Sequence, residues 1–178
     1  MQFDGRLGII SGRYHSLDAS NAGKDHQTIL EVFGRCEDGR SICLLIKGLQ
    51  PSFEITPLSA WQAGQEIPEQ LKARVKVIAD KEDVVKIDGP TMKLTDLGMR
   101  PIWRVTTRQP YVVPNLRKSL EKQGWGVYSG DIPFLNRLFL DLDLSMHIHA
   151  KGEIIDTIDA PNNDCLLYTS DAADELCS

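Results

Sequence analysis

The sequence predicts an α+β fold in which an antiparallel β-meander or partial barrel is followed by a βαβ-type mixed sheet with helices on one face. Three observations lead there. An Asp38-Gly39 dipeptide separates two β-rich runs, which is a strong short-range hairpin signal. Apolar residues recur at helical spacing behind Pro68, Pro114 and Pro133, each in a first-turn position where a missing N–H costs nothing. Short runs of β-formers lie between those segments. At 178 residues with 42% hydrophobic content, the chain is long enough for one domain with a real core, or for one domain and the start of another.

Strand-like stretches run from Leu7 to Tyr14 and from Thr28 to Arg35, separated by the polar segment Ser16 to Asp25 with a turn signal at Asn21-Ala22-Gly23. The hairpin signal turns Ile29–Cys36 back into Ser41–Lys47. Gly48-Leu49-Gln50-Pro51 breaks that strand, Phe53-Glu54-Ile55 resumes one, and Pro57 ends it. A helix follows from Pro68 to about Asp80 on Leu71, Val75 and Ile78. Val84–Ile87 and Lys93–Leu94 read as two short strands broken by Asp88-Gly89-Pro90, and Gly98 precedes a strand over Pro101–Thr107. Pro114 opens a helix that runs to about Gln123, with Leu116 and Leu120 on one face and Gly124 as its stop. Val127-Tyr128 is a short strand. Asp131-Ile132-Pro133 then caps a second helix with Phe134, Leu138 and Leu142 at helical spacing. No internal repeat is present.

No apolar run approaches the ~20 residues that a membrane span needs, and the N-terminus M-Q-F-D-G-R has neither a basic lead nor an apolar signal core, so the cytoplasm is the expected compartment. Cys36, Cys43, Cys165 and Cys177 form no C-x-x-C pair and have no histidine at ligand spacing. They read as reduced thiols, with no metal site expected. Asp141 and Asp143 face different ways if they lie on a helix, and His147 and His149 share a strand face without a third ligand nearby. The nucleotide-binding, serine-hydrolase and zinc-protease motifs are all missing. Catalytic residues: none.

Positive charge is the better lead. Between Arg100 and Lys122 the cations are Arg100, Arg104, Arg108, Arg117, Lys118 and Lys122 against Glu121 alone, with Trp103, Tyr111, Trp125 and Tyr128 interleaved or adjacent. Phosphates attract such cations and bases stack on such rings. On composition alone, a solvated helix face with core aromatics is an equal reading.

The run V-P-N-L-R-K-S-L-E-K followed by V-Y-S-G-D-I-P-F-L-N-R-L-F-L-D closely resembles the end of the N-terminal domain of family B DNA polymerases, most of all the archaeal replicative type. There, a V-P-x-L-R-x-x-L helix precedes D-I-P-F-x-x-R-x-L-I-D, just before the 3′–5′ exonuclease domain. Upstream, G-R-C-E-D-G-R-S-I-C-L-L-I-K-G-L-Q-P-S-F-E-I resembles the family's first hairpin and its G-F-x-P-Y-F-Y strand. The matches span roughly Ile29 to Asp159, and between Pro57 and Arg100 the likeness is weak.

The resemblance implies a template-binding domain over residues 1–143 and the start of a connection into an exonuclease domain over 144–164. It assigns the basic stretch to DNA, with Arg104, Arg117 and Lys118 as phosphate-binding residues. It also implies a pocket that captures a template uracil. Pro51, Ile102, Ile132, Phe134 and Arg137 match the residues that form it, with Ile102 in place of valine and Ser52 where an aromatic residue is usual. No counterpart of the family's N-terminal pocket tyrosine is evident in M-Q-F-D-G-R-L-G. Neither the D-x-E opening of the exonuclease site nor the aspartate motifs of the polymerase palm are present. The implied function is thus a non-catalytic, template-binding piece of a DNA-directed DNA polymerase, itself cofactor-free, whose parent uses Mg2+ and acts at the nucleoid. Implied partners are single-stranded template DNA, the exonuclease and polymerase domains of the same chain, and a sliding clamp, with no membrane. The alternative is a free-standing α/β nucleic-acid or protein interaction module.

The stretch from Cys165 to Glu175 resembles, residue for residue, the conceptual translation of a transposase-type sequencing adapter, so 165–178 is expected to be a non-native tail. Without Asp171, Asp174 and Glu175, the formal net charge changes from −5 to −2. The acidity of the whole chain then weighs little against nucleic acid.

Overall fold

The structure is a computed structural model that describes residues 2–16, 28–62, 64–158 and 163–168. In chain order the strands are β1 (Gln2–Ser16), β2 (Thr28–Cys36), β3 (Ser41–Lys47), β4 (Ser52–Pro57), β5 (Val84–Thr95), β6 (Gly98–Thr107), β7 (Trp125–Tyr128), β8 (His147–Ile158) and β9 (Asn163–Tyr168). Helices α1 (Glu69–Ala79), α2 (Val113–Lys122) and α3 (Phe134–Asp141) lie between them, with a 3-10 turn at Pro110–Val112 leading into α2. The chain divides into two compact units, the first built from residues 1–49 and 133–178, the second from 50–132. The fold is α+β, as the sequence predicts. The turn signal at residues 21–23 lies outside the described residues.

The first unit is a closed barrel in the order β1-β2-β3-β9-β8. A D-G turn makes its hairpin: Gly39 takes φ +88°, and the Cys36 N–H donates to the Arg40 carbonyl at 2.8 Å. Closure depends on the length of β1. Its first half pairs with β8 over Gln2–Gly8 and its second half with β2 over Leu7–Ser16, with a bulge between Ile9 and Ser11. β3 and β9 are parallel while the other pairings are antiparallel, an arrangement shared with the five-stranded OB-type barrels. Residues 147–158, within the stretch read as a connection, form β8, and residues 165–168 of the adapter-like stretch lie in β9.

Alternation along the strands fills the barrel. Leu7, Leu30, Val32, Leu44 and Ala150 are almost completely buried, and Phe3, Ile9, Ile42, Ile46 and Ile148 nearly so. Each large apolar side chain withdrawn from water in this way contributes about 1.5–3 kcal/mol. Phe134, Leu135, Phe139 and Leu142 pack against this core from α3 and the turn after it, which gives that helix its apolar stripe.

The second unit reads β-α-β-β-α-β, the split-βαβ arrangement, with sheet order β5-β6-β4-β7 and every pairing antiparallel. Pro68 precedes α1 in extended conformation, and Leu71 and Ile78 are its buried residues. Pro114 stands in the first turn of α2, Leu120 is that helix's buried residue, and Gly124 at φ +80° ends the element. The two short strands expected over 84–87 and 93–94 form a single strand, β5. Its register against β6 shifts between Asp88 and Thr91, and Gly89 at φ +116° absorbs the bend. A Cβ on Gly89 would stand 2.8 Å from the Ile102 carbonyl oxygen, so a side chain there would push the two strands apart.

Phe53, Ile55, Trp103, Val105 and Trp125 project from the sheet onto α1 and α2 and form the core of this unit. Trp103 and Trp125 meet edge to face with centroids 6.1 Å apart. The Arg74 guanidinium covers Trp125 at 4.6 Å and donates to the Gln123 carbonyl at 2.7 Å.

A barrel packed this tightly constrains its glycines. A Cβ on Gly34 would lie 2.6 Å from Leu7 Cγ and 2.8 Å from the Gly8 carbonyl oxygen. Gly34→Val is expected to cost about 1–3 kcal/mol by overpacking. In urea titration this appears as a lower midpoint at unchanged slope.

Candidate nucleic-acid interface

Period-two alternation on β4 and β6 separates the core of the second unit from its other face. With Phe53, Ile55, Trp103 and Val105 turned to the helices, Ser52, Glu54, Thr56, Ile102, Arg104 and Thr106 occupy the opposite side. A cleft of about 320 Å³ opens there, lined by Glu54, Asp88, Gly89, Thr91, Lys93, Ile102 and Arg104. Ile102, 3% exposed, provides its apolar contact. Glu54 sits between two cations, Lys93 Nζ at 2.5 Å and an Arg104 amino group at 3.7 Å. Lys86 and Asp88 pair at 2.9 Å. The cleft is thus close to neutral, and two of the residues expected to contact DNA, Ile102 and Arg104, lie in it together.

The other residues of the implied uracil pocket are distributed over both units. Pro51 is buried just before β4, and its carbonyl accepts the Thr107 N–H at 2.9 Å and the Thr107 hydroxyl at 3.4 Å, which engages an acceptor a ligand would otherwise meet. Ile132 is half-buried at the end of the second unit. Phe134 and Arg137 belong to the first unit. Phe134 meets Tyr14 edge to face at 5.9 Å. Arg137 is 8% exposed and pairs with Asp141 at 3.0 Å, one turn along α3. The contact of Tyr14 with Phe134 is one that sequence reasoning did not find. Tyr14 lies in β1, 120 residues from its partner, and only pairing in space joins them.

The basic stretch does not form one surface. Arg100 is 8% exposed; its guanidinium donates to the Leu97 carbonyl at 3.1 Å and also to the Ser59 carbonyl, tying the β5–β6 turn to the loop after β4. Arg108 donates to the Glu82 carbonyl at 2.9 Å, and Arg117 pairs with Glu121 at 2.8 Å. Lys118 and Lys122 are exposed on α2 and form no ion pair among the described residues. The aromatics divide in the same way. Trp103 and Trp125 are core residues. Tyr128 is half-buried and its hydroxyl donates to Asp96 at 2.5 Å; burial and then that carboxylate raise its phenol above the ordinary value and keep it protonated. Tyr111 alone of the four is open, at 59% exposure.

His149 pairs with Asp4 at 2.5 Å across β8 and β1. Among the described residues, no three His, Cys, Asp or Glu side chains converge as metal ligands, and no helix is long and apolar enough to cross a membrane.

No family model matches this sequence. No curated protein matches it either. Its fold does resemble a solved structure, the family B DNA polymerase from the hyperthermophilic archaeon Pyrobaculum calidifontis. The likeness has a TM-score of 0.61 at 17% sequence identity and covers 92% of this chain and 20% of that one. The chain therefore has the fold of about a fifth of a family B DNA polymerase.

Proposed function

We propose that the chain is the N-terminal, template-binding part of a DNA-directed DNA polymerase of family B, itself without catalytic residues. The observation that carries this reading is the fold likeness along 92% of the chain, taken with the two sequence motifs of the family. Those motifs fall on two successive helices separated by β7: V-P-N-L-R-K-S-L-E-K is α2 and D-I-P-F-L-N-R-L-F-L-D runs into α3. In this reading, nucleotidyl transfer, the 3′–5′ exonuclease, their Mg2+ ions and a clamp contact belong to the rest of the parent polymerase. The role of this part is to hold single-stranded template through Arg104, Arg117 and Lys118. Fold alone does not assign function, so the reading rests on tests of binding.

Lys118 is the strongest of the three phosphate ligands, because Arg104 and Arg117 already share their charge with Glu54 and Glu121. Single-stranded DNA should bind weakly and in a salt-sensitive way. Each lost phosphate contact lowers the slope of log K against log salt by about 0.7 for a single strand. Replacing Arg104, Arg117 and Lys118 with alanine is therefore expected to flatten that slope in fluorescence anisotropy. A triple variant that titrates like the parent would count against the reading.

We further propose that Pro51, Ile102, Ile132, Phe134 and Arg137 serve uracil recognition, with Tyr14 completing the aromatic contact around Phe134. A slot floored by an isoleucine admits uracil and rejects thymine, whose C5-methyl has no room. Arg137 would hold the adjoining phosphate while sharing its guanidinium with Asp141. An oligonucleotide with one deoxyuridine should bind about 10- to 200-fold more tightly than its thymidine counterpart, the range that one methyl in a snug pocket carries. Ile102→Gln should abolish the difference. Equal affinity of the unsubstituted chain for both oligonucleotides would remove uracil sensing and leave template binding intact.

A further inference from the structure

We infer that Tyr111 marks a second DNA contact, a stacking site for one unpaired base of a single strand, on the helical side of the second unit. The inference rests on the template-binding reading and adds a location to it. A groove of about 450 Å³ lies beside Tyr111, formed by the turn after α1 and the first two turns of α2. Its volume falls within the range that encloses small ligands. Val112 and Leu116 give it an apolar floor, and Tyr111 is the exposed aromatic at its edge. Every base has a π face, so an exposed ring over an apolar floor accepts any of the four. Asn115 and Ser119 add amide and hydroxyl groups that can bond to a base edge or a sugar.

The charges around this groove suit a phosphate chain. Lys81 lines it and forms no ion pair among the described residues. Lys118 and Lys122 continue the helix face of Asn115 and Ser119 by steps of three residues, and they too are unpaired among the described residues. The one carboxylate in the groove, Asp83, has Arg108 beside it, whose backbone N–H donates to the Asp83 carbonyl at 3.0 Å. Lys81 thus stands in the groove itself, with Lys118 and Lys122 further along the same helix. The cleft on the opposite face of the sheet has its cations matched by Glu54 and Asp88. On the central strands of that face, Ser52, Glu54, Thr56, Ile102, Arg104 and Thr106 offer no ring on which a base could stack.

The test uses the full chain and a fluorescein-labelled oligo-dT, with anisotropy as the readout. Tyr111→Ala should weaken binding about 5- to 150-fold, the effect of losing one base–aromatic stack, and Tyr111→Phe should bind as the parent does. Ser119→Glu, which brings a negative charge into the groove, should also weaken binding. A duplex of the same length, whose bases are already stacked, should be insensitive to Tyr111→Ala. Irradiation of a 5-iododeoxyuridine oligonucleotide should crosslink to the peptide that carries Tyr111. If the chain binds single strands and Tyr111→Ala changes nothing, or the crosslinks fall elsewhere, the inference fails and the template-binding reading stands. If the chain binds no single strand at all, both fail.

Discussion

The register of β4 against β6 is the constraint on which the second unit depends. Ser52 pairs with Thr106, Phe53 with Val105, Glu54 with Arg104 and Ile55 with Trp103. With a period of two, this single alignment sends four apolar residues to the helices and leaves a carboxylate facing a guanidinium on the other side. A slip of β4 by one residue against β6 would place Glu54 in the core and expose Phe53 and Ile55 to water. The cost of burying that carboxylate and exposing those side chains makes the observed register the stable one. The same alignment determines the chemistry of the open face, which is polar, nearly neutral and without aromatics on its two central strands.

The distribution of positive charge follows from this. Six cations close together in sequence suggest a basic patch, yet strand geometry and local hydrogen bonds divide them. Arg100 is consumed by backbone carbonyls, Arg104 by Glu54 and Arg117 by Glu121. The two that face carboxylates exert little field at a distance, and Arg100 is held almost out of reach of solvent. Arg108 is held by the Glu82 carbonyl, so Lys118 and Lys122 are left of the six, and Lys81, from outside that stretch, lies in the groove with the open ring of Tyr111. Under the proposed function, the helical side of this unit would therefore attract phosphate more strongly than the sheet face.

Local signals made much of the fold legible in the sequence. Asp38-Gly39 marks a hairpin because few residues tolerate the positive φ its turn needs, and Pro114 marks a helix start because its ring fits a first turn, whereas Pro68, expected in a first turn, stands one residue before α1 as its extended N-cap. Features that depend on distant partners were not legible. The Asp88-Gly89-Pro90 sequence reads as a break, yet β6 lies alongside and carries β5 through it as a bulge. Residues 147–158 read as part of a connection, yet they form β8, and its residues 147–153 pair with β1 at the other end of the chain. Trp103 and Trp125 look as available to a base as Tyr111 does until the sheet turns them inward. Tyr14 acquires its contact with Phe134 only when β1 and α3 come together in the first unit.

Under the proposed function, this chain holds single-stranded DNA on identifiable surfaces of its fold. Hydrogen exchange of the full chain with and without a single-stranded oligonucleotide tests it most directly, since backbone protection reports location as well as binding. Slower exchange is expected in peptides covering residues 80–84 and 109–123, with the Gln2–Gly8 half of β1 unchanged. Identical exchange throughout the described residues at saturating oligonucleotide, or protection confined to the barrel strands, would contradict it.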